Sequence, residues 1–369
     1  MTRAAVSYTP GADLALTEVE LGEVRAHDVK VRFMASGLCH TDVSIATGDM
    51  SVAMPIIPGH EGAGIVEDVG SAVSGLRPGD HVAFTGVIAC GRCRACERGL
   101  PNLCEWGLPT IMSGRHPDGD LRTFDPSGTG LHQWACLGTL AERAIVPERS
   151  VIPIPDDVPF DVAAIAGCGV LTGAGAVLNR SSVRPGSSAV VFGCGGVGLS
   201  AVQACRLIGA TTIIAVDPVR AKRELALRLG ATHAIDPTSR DAVEAVRELT
   251  DGRGADHAFE CTGVATVVRQ AWDAVGVDGT VVTMGIAPAG STVELPADEL
   301  WSTEKSLRSS LYGSGYPRKD IPLLLELYRQ GRLPIEEMIT ARYALDDVNA
   351  AVSDLKSGRN ARGVILMND

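Results

Sequence analysis

The chain has 369 residues, 45% of them apolar and 21% charged, with 42 glycines and 20 prolines. That length favours two domains, and the composition suits a turn-rich globular α/β protein rather than a disordered one. A formal charge of −11 disfavours polyanionic partners such as nucleic acid, whose binding draws on basic side chains that displace counterions.

From the N-terminus to about Ser150 the sequence reads as short β-rich runs broken by glycine and proline, among them VKVRFMASG, GAGIVEDVGSAV and the turn RPGDHV. The opening MTRAAVSYTP has no basic segment followed by an apolar run. No later stretch is read as reaching the ~18 apolar residues of a membrane span. The expectation is a cytoplasmic protein with no membrane partner, and Ser113 to Gly130 is expected to be a long surface loop.

After Pro185 the pattern turns to alternating strands and helices: SSAVVFG, a helix from about Val197 to Ile208, TTIIAVD, and a helix through ALRLG. Further strands are expected at His233 to Ile235, Asp256 to Glu260, Gly279 to Gly285 and Ser306 to Tyr312. Such βαβ alternation predicts a six-stranded, doubly wound parallel sheet. Beyond Tyr312 come two helices, DIPLLLELYRQG and DDVNAAVSDLKSG, and a closing strand, ARGVILMN.

Between the first of these strands and its helix, VVFGCGGVGLS places Gly193, Gly195 and Gly198 as G-x-G-x-x-G, with Gly196 and Val197 inside the motif. The first glycine allows a tight turn, the second lets backbone approach a pyrophosphate, and the third lets helix pack on strand. The next strand ends in Asp217, where a carboxylate would take ribose hydroxyls and repel a 2′-phosphate, with Arg220 and Lys222 nearby. NAD is therefore preferred over NADP.

CGRCRACERGLPNLC sets Cys90, Cys93, Cys96 and Cys104 in one polar loop. Four thiolates so spaced can close a tetrahedron round a structural zinc, and an iron–sulfur cluster also suits this ligand set. Of the other six cysteines, Cys194, Cys205 and Cys261 fall in the dinucleotide-binding pattern, the last two as packing residues. Cys136 lies in ACLGT, and Cys39 in GLCHTD and Cys168 in GCGVLTG, with His60 and Glu61 in PGHEGAG, are candidates for a metal centre.

The chain resembles, nearly end to end, a zinc-dependent alcohol dehydrogenase of the medium-chain dehydrogenase/reductase superfamily, near its class III-like bacterial branch. The pattern GHE-x2-G-x5-G-x2-V is met by Gly59, His60, Glu61, Gly64, Gly70 and Val73, with the cysteine lobe, RPGDHV and GCGGVG in the expected order. The resemblance implies a GroES-like catalytic domain over residues 1–169 and 312–369, carrying the lobe 90–104, and an NAD-binding Rossmann domain over 170–311. It also implies two zinc ions per chain, the catalytic one held by Cys39, His60 and Cys168. Glu61 would approach that metal during ligand exchange, and Asp42 would orient the histidine.

By the same resemblance Thr41 accepts the alcohol proton. Ser44 stands where a histidine often ends the relay, so the last transfer is expected to run through ribose hydroxyls and water. His40 and Arg362 correspond to pyrophosphate contacts, and Thr172 and Val197 press on the nicotinamide. Gly86 and Cys136 stand where larger pocket residues are common, with Leu137 and Ile286 as apolar walls, unless Trp106 or Trp134 fills the space.

The implied reaction is reversible hydride transfer from a primary alcohol, bulky aromatic, allylic or medium-chain, to NAD, giving the aldehyde. The alternative is a glutathione- or mycothiol-dependent formaldehyde dehydrogenase, although GDMSVAMP lacks that branch's glutamate while keeping Asp49. A zinc-stabilised NAD-binding protein without activity is the remote alternative. A homodimer through the sheet edge is expected, with a tetramer possible.

Overall fold

In the computed structural model, which describes residues 2–367, the β-rich part is organised by the eleven-residue strand Asp28–Leu38. Its alternate residues Val29, Val31 and Phe33 are fully buried, and the Phe33 ring meets Phe84 edge-on at 5.1 Å. This strand runs antiparallel to Glu61–Val69, Arg143–Pro147 and Gly363–Leu366. The register sets Gly37 opposite Glu61 and Leu38 opposite Gly363. Residues 39, 60–61 and 362, far apart in the chain, are thus delivered to one end of one sheet.

A second sheet joins Thr2–Val6, Ala15–Leu21, Thr123–Phe124, Gly130–Gln133 and Ile56–Ile57. The segment expected as a surface loop therefore contributes a short strand, and His116 and Arg122 within it are buried. The reason is electrostatic. Asp28 accepts from Arg122 Nε at 2.6 Å and lies 3.2 Å from His116 Nδ1, so the segment is pinned to the start of the central strand.

The second compact unit comprises Gly169–Gly315 with Gln330–Met338. Its six parallel strands lie in the order His233–Ile235, Thr212–Val216, Ser188–Phe192, Ala255–Glu260, Val275–Thr283 and Ser306–Ser309. Central strands such as SAVVF and TIIAV are almost wholly buried, as a sheet covered on both faces requires. Strand order reverses on leaving Ser188–Phe192, which makes the turn after it the topological switch point. The fifth strand begins four residues earlier than its sequence suggests, and the last stops at Ser309.

The helical run Phe160–Arg180 corrects one expectation. With 21 residues it is long and apolar enough to cross a membrane by length and composition, and most of it is buried in the molecule. Glycines and alanines interrupt its larger aliphatic residues, so it lacks the regular stripe that marks a helix in sequence. It is a core helix with two π-turns, Ala166–Val170 and Ala176–Arg180, and the first carries Cys168.

Candidate metal centre and dinucleotide turn

The helix His40–Thr47 starts directly off the central strand, with Cys39 as its N-cap. Asp42, in the first turn, takes the Cys39 N–H on Oδ2 at 3.0 Å. Its Oδ1 takes the Gly59 N–H and His60 Nδ1, both at 2.9 Å. A carboxylate only accepts, so Nδ1 carries the ring proton and Nε2 offers the lone pair. Gly59 has φ +96°, and a side chain there would strike Thr139 and Leu140. The GHE glycine is thus fixed by the turn that presents the histidine.

One donor atom from each of Cys39, His60, Glu61 and Cys168 lies within 4.8 Å of the others. Two sulfurs, an imidazole and a carboxylate at that spacing fit one tetrahedral zinc. The Cys168 S–H holds the Cys39 thiol well below its usual range, helped by His60 and Arg362, while the same contact and burial push Cys168 up. Burial opposes a charged His60, yet Asp42 and Cys39 outweigh it and raise its pKa. Metal uptake here would therefore release protons.

Glu61 is fully buried and its carboxyl is pushed up to about 6 by burial, against the pull of Arg362. The Arg362 guanidinium, itself 4% exposed, pairs with Glu61 Oε2. Arg362, expected at a pyrophosphate, is therefore placed beside the metal donors. Gly37 makes the pair possible, because a Cβ there would collide with the Glu61 carboxylate.

Trp134, expected only as a possible filler of the space at Gly86, stands beside a metal donor. Its indole stands edge-on to the His60 ring, 6.5 Å between centroids, and is 6% exposed. The two residues after it, Ala135 and Cys136, hold φ of 55° and 59°. Side chains adopt such positive φ only at a cost of roughly 1–3 kcal/mol each, so packing must hold this turn in place. The Cys136 thiol faces the carbonyls of Arg115 at 3.0 Å and Thr110 at 3.6 Å, and burial pushes it up to about 12. Leu137 and Gly86 are buried, whereas Trp106 is exposed. Thr41 is half-buried with its hydroxyl 3.7 Å from Cys39 Sγ, and His40 is exposed.

In the lobe, the sulfurs of Cys90, Cys93, Cys96 and Cys104 also lie within 4.8 Å of one another. Cys93 and Cys104 are 3.8 Å apart, the edge of a tetrahedron with Zn–S of about 2.3 Å. An iron–sulfur cluster would hold its cysteines farther apart, so this spacing selects a single ion. Backbone N–H groups of Cys90 and Gly107 point at Cys104 Sγ, and that of Arg92 at Cys90 Sγ. Backbone donors from Cys96 and Glu105 bring Cys93 down to about 6, whereas burial takes Cys96 up to about 12.

In the second unit Gly193 has φ +89°, and a Cβ on Gly198 would strike the Gly193 carbonyl. The helix Gly196–Ile208 begins inside the motif, so its N-terminus faces the turn. Asp217 is buried, accepting the N–H of Cys194 on Oδ2 and of Val219 on Oδ1, both at 2.8 Å. It thereby braces the glycine turn as well as ending its strand. Lys222 and Val197 are half-buried, Thr172 is buried, and Ile286 is 64% exposed.

Residues 25–156 match the family described as alcohol dehydrogenase GroES-like domain, and residues 196–330 match zinc-binding dehydrogenase. The chain is 42% identical over 367 residues to an NDMA-dependent alcohol dehydrogenase of Amycolatopsis methanolica, covering 99% of this chain and 98% of that one. The chain belongs to the zinc-dependent alcohol dehydrogenase family. Within the family it is 36% identical to S-(hydroxymethyl)glutathione dehydrogenase of Paracoccus denitrificans, with 99% of both chains covered. The crystal structure of benzyl alcohol dehydrogenase from Acinetobacter calcoaceticus matches with a TM-score of 0.94 at 35% identity, covering 100% of this chain and 99% of that one.

Proposed function

We propose that this dehydrogenase oxidises a bulky primary alcohol to its aldehyde with NAD, using Cys39, His60 and Cys168 as ligands of a catalytic zinc. The observation that carries the reading is the four-donor cluster with Asp42 behind His60. Zinc bound there would act as a Lewis acid on the substrate oxygen, and NAD on the Gly193–Gly198 turn would accept hydride.

The chain's own residues then have defined tasks. Asp42 fixes the His60 tautomer, and Thr41 takes the alcohol proton at its hydroxyl and passes it on. Arg362 keeps the Glu61 carboxylate available beside the donors. Cys90, Cys93, Cys96 and Cys104 hold the second zinc, which shapes the lobe without taking part in chemistry.

The Trp134 indole beside His60 supports an aromatic substrate, in line with the name of the benzyl alcohol dehydrogenase relative. Exposed Val277 and Trp301, with the edge strand Ser306–Ser309, support a homodimer through that edge. Ten free cysteines, six of them in the two donor clusters, suit a reducing, cytoplasmic compartment.

The NDMA-dependent relative supports a second reading, in which NADH stays bound and turnover needs an added electron acceptor. Both are tested by initial rates of the zinc-loaded protein with benzyl alcohol, octanol and ethanol, with free NAD alone and with NDMA added. Rates with NAD alone that rank benzyl alcohol above ethanol support the first reading. Rates seen only with NDMA support the second. Activity confined to formaldehyde with glutathione or mycothiol would replace the alcohol substrate by a thiol adduct.

A further inference from the structure

A cavity of about 390 Å³ lies against the cysteine lobe, and Cys96, one of the lobe's four proposed zinc ligands, forms part of its wall. Its walls include Arg149, Arg318, Tyr316 and Thr85, and lobe residues Gly91 and Gly99. Among the described residues no aspartate or glutamate lines it, in a chain whose net charge is −11.

The two arginines are cations without anions. Arg149 Nη1 donates to the Ala89 carbonyl at 2.7 Å, and Arg318 Nη2 to the Glu148 carbonyl at 2.9 Å. Among the described residues these neutral oxygens are their only acceptors. Glu148 could have neutralised Arg318, but its carboxylate is turned to His27 Nδ1 at 2.8 Å. The larger hollow on the other side of Arg149, about 1050 Å³, shows the contrast. There Arg25 and Arg122 are met by Asp28, Asp118 and Asp120, so that hollow has little positive charge to offer.

The rest of the smaller cavity suits a ligand larger than a bare ion. Gly91 and Gly99 both have positive φ, with open space where side chains would begin, so a ligand can approach lobe backbone closely. The ring of Tyr316, 48% exposed, offers a flat apolar face. The helix Pro317–Arg329 starts at this wall, where Asp320 in its first turn already takes the Tyr316 N–H at 2.8 Å, so the positive charge facing the cavity is that of the two guanidiniums. A guanidinium pair with no internal acid is the recognition chemistry of a phosphate group, and the volume leaves room for a small organic body.

We propose that this cavity binds a small phosphate monoester, its phosphate held between Arg149 and Arg318 and its organic part against Tyr316. Occupancy ties the lobe to the start of the helix Pro317–Arg329, so the ligand also slows loss of the lobe metal.

The test is calorimetric titration of the zinc-loaded enzyme with ribose 5-phosphate and with inorganic phosphate. Saturating NADH is present to occupy the glycine turn, and ionic strength is held constant. Saturable binding of ribose 5-phosphate is expected, weakened at least tenfold in Arg149→Gln and in Arg318→Gln, and largely retained in Arg318→Lys. Zinc release to a chromogenic chelator should slow with ribose 5-phosphate in the parent enzyme and not in the glutamine variants. Each exposed arginine makes one bond to a carbonyl, so Arg149→Gln and Arg318→Gln are expected to keep the parent alcohol-oxidation rate, which serves as the check on folding. Tighter binding of inorganic phosphate than of the ester would assign a simple anion site and overturn the ester assignment. No saturable binding, or equal affinity in the glutamine variants, would overturn the site altogether.

Discussion

Asp42 lies 2.9 Å from His60 Nδ1 with one carboxylate oxygen while the other takes the N–H of Cys39. A single buried side chain thus orients two of the prospective zinc ligands. In Asp42→Asn one of these acceptors becomes a donor, and the His60 tautomer is no longer dictated. Partners of this kind are worth about 10–100-fold in metal affinity. Chelator competition should show that loss at one zinc per chain, with the lobe zinc unaffected. Equal affinity in the variant would mean that packing against Trp134 suffices to hold the histidine.

The Glu61–Arg362 pair gives a stability prediction. Both groups are buried, at 0% and 4% exposure. Arg362→Leu leaves a buried carboxylate without its cation, which costs about 3–5 kcal/mol. Adding Glu61→Gln removes the stranded charge, so the double variant should lose less stability than the two single losses added together. Urea unfolding of the four proteins measures this directly, and simple additivity would show that the two side chains do not interact.

Acid lability should trace to Asp28. Burial raises its carboxyl, but the hydrogen bonds and charges of His116 and Arg122 outweigh that and hold it below 3.8. A carboxyl with a lowered folded pKa contributes stability above its unfolded value and loses it as pH falls through the folded one. Stability should therefore drop from about pH 4 downward. Asp28→Asn should be less stable at neutral pH and show a flatter decline over the same range. Parallel curves for the two proteins in pH-dependent urea unfolding would reject this assignment.

The last two of these relationships mark what the sequence conceals, and the first is expected only through the family resemblance. The glycine turn, the four-cysteine lobe and the order of βα units are legible because each is written within a few consecutive residues. Asp42 is equally local to Cys39, but its hold on His60 depends on a turn that Gly59 alone makes possible. The Glu61–Arg362 pair depends on a register between strands from opposite ends of the chain, which no local pattern records. The same holds for Asp28 and Arg122, where a polar, glycine-rich segment read as exposed because its buried partners lie elsewhere. Phe160–Arg180 was hidden for a different reason: glycines and alanines interrupt its buried Val162, Ile165, Val170, Leu171 and Val177, so no regular helical stripe reveals it.

The dinucleotide turn supplies the last prediction. Gly198 faces the Gly193 carbonyl so closely that a methyl group has no room, with Val191 Cγ1 3.2 Å away. Alanine there must push the helix Gly196–Ile208 off the strand Ser188–Phe192, and the N-terminal N–H groups of the helix move with it. Asp217 opposes the shift by holding the Cys194 N–H, so the strain falls on the turn rather than spreading through the sheet. Gly198→Ala should therefore weaken NADH binding at least tenfold, as read by nicotinamide fluorescence, while both zinc ions per chain remain. Unchanged NADH affinity would remove the cofactor from this turn, whereas loss of zinc along with NADH would show that the substitution unfolds more than the motif it was meant to probe.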